Sequence, residues 1–269
     1  MARFLVLDIE AIRDPDVWSP PSTDPPSIIN AGIVGGASGI TGTVQSPPRD
    51  VFAPPFAWRP IVIGFVLLDG TRVLRLGTIE GSGDPNDRER AILEKFASGR
   101  AKDSPTIVTW NGRRFDLPVL TLRSLRYGIG HSWYYQSRDT RYRFSEAGHC
   151  DLADCMSDYG STASLGLDGV ARLIGLPGKY GAFDGAGVAE AFADGKHAEI
   201  AAYCLSDSVQ TAFAFLRWNL LKGELSVDAY RTAARSLLDA CAADPRLADF
   251  VTRIDRRVLL LEPGAEAAA

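Results

Sequence analysis

The chain carries 269 residues, 46% of them apolar, with 33 acidic against 29 basic side chains and a net charge of −4. That is enough length for one large domain, or one domain with extensions, and enough apolar material for a sizeable core. The mildly acidic balance excludes a general nucleic-acid coating protein, which would be basic. It leaves room for an enzyme whose own acidic site binds nucleic acid locally. Four cysteines, Cys150, Cys155, Cys204 and Cys241, form no Cys-x(2)-Cys pair, so reduced thiols are expected rather than a zinc site or a disulfide framework. No apolar run reaches the roughly 18 residues that span a bilayer, and the first residues lack a signal-peptide pattern, so a cytoplasmic protein is expected.

In chain order, residues 3–9 read as a short buried strand. Residues 13–60 hold ten of the sixteen prolines and a Gly-rich run at 31–36, which rules out regular helix or central strand there. This is read as a Pro/Gly-rich insertion loop, either a surface insertion or a lid beside the residues that precede it. Ile61–Leu68 and Val73–Thr78 read as strands joined at Asp69-Gly70, a type I′ hairpin signal. Asp87–Ala97 reads as a helix with Asn86 or Asp87 as its cap and Gly99 past its end. Thr106–Trp110 is a further strand. Helices are expected at Leu117–Tyr127, ended by Gly128, and at Asp151–Tyr159, Leu167–Leu173, Gly187–Phe192, Lys196–Leu220 and Ser226–Ala242. The pattern is α/β, a mixed sheet flanked by helices. Residues 1–222 would form the domain, and 223–269 a helical extension and tail.

Five residues carry the chemistry. Asp8 and Glu10 are two apart on the first strand, so both point to one face, while Leu7 and Ile9 point to the other. Asp116 follows the strand that ends at Trp110 and stands at the start of a helix, where the helix dipole favours a carboxylate. Tyr203 and Asp207 lie four apart in a long helical stretch and so share a face. Acids in apolar surroundings need compensation, and a cation is the usual one. Asp151 reads as a helix N-cap. His131 and His149 fit no ligand spacing. Seven arginines fall between residues 113 and 144, interleaved with aromatics, a composition that suits single-stranded nucleic acid.

Asp-x-Glu on the first strand, Asn111-x(3)-Phe115-Asp116 after a later strand, and Tyr203-x(3)-Asp207 on a late helix resemble the three motifs of the DEDD 3′–5′ exonucleases, which have a ribonuclease H-like fold. The tyrosine places the likeness in the tyrosine subclass, which includes the proofreading domains of family A and B DNA polymerases. It is nearest to stand-alone predicted exonucleases related to the family B domain. The likeness spans about residues 3–218.

The resemblance implies a metal-dependent exonuclease of proofreading or repair type that shortens single-stranded DNA from its 3′ end. Asp8, Glu10, Asp116 and Asp207 would hold two divalent ions, Mg²⁺ or Mn²⁺, and Tyr203 would orient the attacking water. Ile9, Asn111, Phe115, Arg113 and Arg114 are the expected substrate contacts. The same chemistry on RNA, as in RNase D-like enzymes, and a non-catalytic nucleic-acid-binding domain on the same fold are the alternatives. The helix at 226–242 is a candidate surface for a protein partner.

Overall fold

The computed structural model describes residues 2–19, 52–103, 105–163, 165–179 and 187–263. Most of the Pro/Gly-rich insertion therefore lies outside the described residues, but its two ends are not loop: Arg13 ends the first strand, and Trp58, Arg59 and Pro60 begin the second, an inner strand of the sheet. Strand β1 (Arg3–Arg13) runs next to β2 (Trp58–Asp69), which turns into β3 (Arg72–Ile79). Helix α1 (Pro85–Asp103), β4 (Thr106–Thr109) and α2 (Asp116–Arg123) follow, then two single-turn helices, α3 (Ser132–Tyr135) and α4 (Arg138–Arg141). Strand β5 (His149–Asp151) leads straight into α5 (Leu152–Met156), followed by α6 (Leu167–Leu173), α7 (Gly187–Ala193) and the 25-residue α8 (His197–Leu221). The described chain closes with α9 (Val227–Ala242), α10 (Ala248–Thr252) and α11 (Arg256–Leu259).

The strands form one mixed sheet in the order β3-β2-β1-β4-β5. The hairpins β1–β2 and β2–β3 are antiparallel, and β1–β4 and β4–β5 are parallel. Alternation along β1 divides the core. Leu7 and Ile9 join Ile63, Phe65 and Ile107 under α1 and α2, whereas Val6 joins Val66, Val108 and the apolar sides of α8 and α9. Beyond residue 222 the chain returns to this second core, where Tyr230, Leu237, Leu247, Phe250 and Leu259 are fully buried. The apolar face of α9 is thus occupied by the chain's own sheet and α8. Among the described residues no helix is long and apolar enough to cross a membrane.

Several local expectations change. The β2–β3 loop is Gly70–Thr71, because Asp69 pairs with Arg72, and Gly70 alone has positive φ (60°). A type I′ turn needs positive φ at both central residues, so the pattern is that of a turn with glycine first. Helix α1 is capped one turn early, by Asp84, whose Oδ1 accepts the N–H groups of Asn86 (2.8 Å) and Asp87 (3.0 Å). The stretch 151–159 begins as strand, and Asp151 is the last residue of β5 as well as the cap of α5. Three residues are too few for a periodic pattern to register.

Below the open end of the sheet lies a buried ionic knot. The Arg123 guanidinium donates to Asp14 Oδ2 (2.7 Å) and to both Glu89 oxygens, Arg59 reaches Asp14 (3.0 Å), and Tyr127 donates to Glu89 (2.9 Å). Hydrogen-bonded neighbours on every side make such buried charges tolerable. The knot ties the end of β1, which carries Asp8 and Glu10, to α1, to β2 and to α2, which begins with Asp116.

Candidate active site

β1 outlasts its parallel neighbour. Its pairing with β4 stops at Val6↔Val108, while its pairing with β2 continues to Arg13. Asp8 and Glu10 therefore sit just past the C-terminal end of β4, the edge where open α/β sheets place their ligands. The next ladder position on that side is filled by a side chain: Ile9 N–H donates to Asp116 Oδ1 at 3.1 Å. The Ile9 side chain is buried in the core under α1 and α2, so this residue meets the site through its backbone. On the other edge, the register slips between Glu10 and Ala11, leaving Ile61 as an extra residue on β2 opposite the second acid. Bulges recur where a strand must re-aim a side chain.

Helix α8 closes onto the acidic face because β2 is notched there. Gly64 pairs with Asp8, and a Cβ at Gly64 would lie 2.5 Å from both the Cys204 carbonyl oxygen and Ser208 Oγ. Through that contact α8 carries Asp207 to the strand. Asp8, Glu10 and Asp207 each offer an oxygen within 4.8 Å of the others. The Tyr203 hydroxyl bonds to Asp207, and Gln210 Nε2 donates to Asp207 Oδ1 (3.1 Å). Behind Asp8, the Cys204 thiol reaches its carbonyl (3.4 Å) and Oδ2 (3.7 Å).

Electrostatics confirm the crowding. Burial and the neighbouring Asp116, Glu10 and Asp207 hold the Asp8 carboxyl well above the usual range. Burial first, then Asp207 and Asp116, pushes Glu10 up to about 8. Burial likewise lifts Asp116 to about 7 and Asp207 to about 6. Tyr203 is raised by burial and by the acids, so its hydroxyl keeps its proton. A cluster this strained by its own negative charge fits oxygen-seeking divalent cations as its counter-charge.

Lys179 is a residue that sequence reasoning missed. Its charge lowers both Glu10 and Asp207. The turn before it is held by Gly178 N–H on Gln210 Oε1 (2.9 Å) and by Lys179 N–H on Asp168 Oδ1 (2.6 Å). The only signal in the sequence is the turn-forming Pro177-Gly178 that precedes it.

Asp151 exceeds its expected role. Besides capping α5, its Oδ1 accepts Asn111 N–H (2.8 Å) and its Oδ2 accepts Arg113 N–H (2.9 Å). The loop that leads to Asp116 is thereby pinned, with Asn111 held at φ 61°, a left-handed conformation that asparagine tolerates better than most residues. Burial raises Asp151 despite the N–H bonds that pull it down. Thr109 and His149 complete the support: Gly112 N–H donates to Thr109 Oγ1 (3.2 Å), which meets His149 Nε2 at 2.8 Å. Burial holds His149 down at about 3, so its ring is neutral.

A cleft of about 1160 Å³ opens over the acids. Asp8, Glu10 and Asp116 form its acidic part, and Asn111, Arg114 and Phe115 line it. Trp58 and Phe52 extend an aromatic wall from Phe115, with ring centroids 5.6 Å apart for Trp58–Phe115 and 5.3 Å for Phe52–Trp58. Phe52 is 68% exposed. Arg113 is not part of this lining. Its guanidinium donates to the carbonyls of Thr140 (3.3 Å), Arg141 (3.2 Å) and His149 (3.3 Å). Arg123 is spent in the ionic knot and Arg143 pairs with Asp154 (2.7 Å), so of the seven arginines Arg114 is the one that lines the cleft. A second cavity, about 420 Å³, lies between the sheet and α1 on the opposite face and is lined mainly by apolar side chains.

Residues 50–254 match a family described as predicted 3′–5′ exonucleases related to the exonuclease domain of PolB. The chain belongs to this family. The match covers Asp116, Tyr203 and Asp207, and begins after Asp8 and Glu10, which the sheet brings to the same place. No curated protein matches the chain. Among solved structures, the family B DNA polymerase of the hyperthermophilic archaeon Pyrobaculum calidifontis aligns with 90% of this chain at a TM-score of 0.53 and 17% identity. The chain spans 29% of that polymerase. The similarity is one of fold: a mixed five-stranded sheet flanked by helices, of the ribonuclease H-like type.

Proposed function

We propose that the protein is a metal-dependent exonuclease that removes nucleotides from the 3′ end of single-stranded DNA. The observation that carries this reading is the meeting of Asp8, Glu10 and Asp207 within 4.8 Å, beside an Asp116 anchored on the strand between the first two. Asp8, Glu10 and Asp207 would hold one divalent ion, and Asp8 with Asp116 a second. Bound there, Mg²⁺ or Mn²⁺ would supply Lewis-acid stabilisation of the attacking and leaving oxygens and a more acidic water.

The chain's own groups do the rest. Tyr203, protonated and bonded to Asp207, orients the attacking water as a hydrogen-bond partner rather than as a base. Asn111 and Arg114, on the pinned loop, face the terminal nucleotide and its phosphate. Phe115 and Trp58 offer ring faces to unpaired bases, which favours a single strand over a stacked duplex. A cleft open at one end of the sheet suits a chain terminus.

The test is digestion of a 5′-labelled single-stranded DNA, with matched RNA alongside, in Mn²⁺ or Mg²⁺. A ladder shortening from the 3′ end, abolished by chelator and by Asp8→Ala, is expected. Preferential loss of the RNA would move the substrate to RNA. Cleavage of neither would leave a binding domain that retains its acids.

A further inference from the structure

We infer that Glu146, Cys150 and Cys155 form a Zn²⁺ site of three protein donors, its fourth position left to a water, built from residues other than those of the acidic cleft. Their ligand atoms lie within 4.8 Å of one another. Cys150 Sγ stands 4.0 Å from Cys155 Sγ and 3.8 Å from Glu146 Oε2. In a tetrahedral site with Zn–S about 2.3 Å and Zn–O about 2.1 Å, neighbouring donors are roughly 3.5–3.8 Å apart, so the two separations at Cys150 need to close by only a few tenths of an ångström, while Glu146 and Cys155 lie within 4.8 Å. The Cys-x(4)-Cys spacing falls within the range of zinc ligand pairs. The strand-to-helix turn at Asp151 folds Cys155 of α5 back against Cys150 of β5.

Both cysteines border the apolar core, but apolar packing does not account for the polar side of their surroundings. Both thiols are buried, yet a carboxylate points at them and Lys222 Nζ is 2.7 Å from that carboxylate. Two thiolates, one carboxylate and Zn²⁺ sum to −1, and Lys222, which Glu224 shares at 3.0 Å, is the neighbouring cation. Tyr159 leans on the cluster from the other side and bonds to Cys155. It does so from a turn in which Asp158 (φ 48°) and Tyr159 (φ 54°) are both left-handed, a strain that non-glycine residues keep only where neighbours enforce it. The donor set is soft, unlike the all-oxygen cleft, and selects zinc over Mg²⁺ or Mn²⁺. The site would tie the segment after α4 to the β5–α5 turn, whose Asp151 pins the Asn111 loop, and through Lys222 to the end of α8.

The test uses the full chain stripped of metal and titrated with Co²⁺ as a spectroscopic stand-in for zinc. Carboxylates give no thiolate-to-cobalt charge-transfer band, so the acids of the cleft are silent in this readout and Cys204, beside Asp8, is the one thiol there to control for. One equivalent of Co²⁺ should produce the band, and Zn²⁺ should abolish it. Cys150→Ser with Cys155→Ser should remove the band, and Glu146→Gln, which keeps both thiols, should weaken Co²⁺ binding by about tenfold or more. If the double serine variant fails to fold, thiol labelling decides. Zinc should protect two of the four cysteines, at higher concentration in Glu146→Gln. No band in the native chain overturns the site. So does a band that survives the double variant and vanishes in Cys204→Ser, which would assign it to the thiol beside Asp8.

Discussion

Tyr203 and the carboxylates around it differ in what their removal would leave behind. Asp8 touches every other member of the cluster through charge, and its loss would take away a ligand to both proposed ions. Tyr203 contributes one hydroxyl, already bonded to Asp207, and a water could occupy its place. Asp8→Ala should therefore lower turnover on the order of 10³-fold or more, a loss of several kcal/mol of transition-state stabilisation. Tyr203→Phe should cost only on the order of 10–100-fold, the price of a less well-oriented nucleophile. Steady-state turnover of the two variants checks this, and equal losses would sink the orienting role. Asp151 supports a second prediction. In Asp151→Asn the side-chain oxygen can keep Asn111 N–H, but the amide nitrogen then faces Arg113 N–H, two donors in a buried space. The unsatisfied pair should cost roughly 1–3 kcal/mol. Amide hydrogen exchange should quicken at residues 111 and 113 while α8 stays protected. Unchanged exchange there would mean that another group anchors the loop.

At the scale of elements, the approach of α8 to the sheet is decided at Gly64. Gly64→Ala would drive a methyl into the backbone of Cys204 and into Ser208. Backbone cannot rotate aside, so the helix must shift, at a cost of roughly 1–3 kcal/mol or more. Melting temperature should fall by about 2–4 °C per kcal/mol, and activity should fall further than stability alone explains, because Tyr203 and Asp207 ride on the displaced turn. A variant with native activity would show that α8 has slack. This contact marks the limit of what the sequence reveals. The period-two placement of Asp8 and Glu10, and the period-3.6 placement of Tyr203 and Asp207, were legible because each is a local pattern. So were β2, α6 and α8 to within a few residues. What brings them together is not local: a glycine opposite an acid, a β4 that stops at Thr109, and an Asp151 that reaches back 40 residues to Asn111. β5 was missed because three residues carry no period, and the helices after Ala242 because each is only one turn long. Lys179 was overlooked because a lone lysine after a turn looks like solvent-facing charge until the fold places it near Glu10 and Asp207.

For the whole molecule, the acidic cluster links stability to pH and to metal. Glu10 at about 8 and Asp116 at about 7 sit far above ordinary carboxylates, and Asp8 is raised with them. Between the ordinary carboxylate range and these values the folded chain binds more protons than the unfolded one. Stability from this source is therefore fully present at low pH and lost as pH rises through the folded values. Asp151, also raised by burial, adds to this in the same sense, whereas other groups act elsewhere. His149, held neutral at about 3, acts in the opposite sense but only below its ordinary value near 6.5. Burial raises the Cys204 thiol, which moves its titration to higher pH still. Asp14 and Asp154 are lowered by their arginines and matter only in acid. With chelator present, the melting temperature should fall on the order of several degrees between about pH 6.5 and about pH 8.5. Mn²⁺ should reverse the fall, and should raise the melting temperature more at the higher pH, because the ion binds carboxylates that have already lost their protons. Glu10→Gln should flatten the chelator profile by removing one of the repelling charges. A melting temperature that is flat across this range in the native chain, or a Mn²⁺ effect of equal size at both ends, would mean that the four acids are neutralised by something other than a divalent ion.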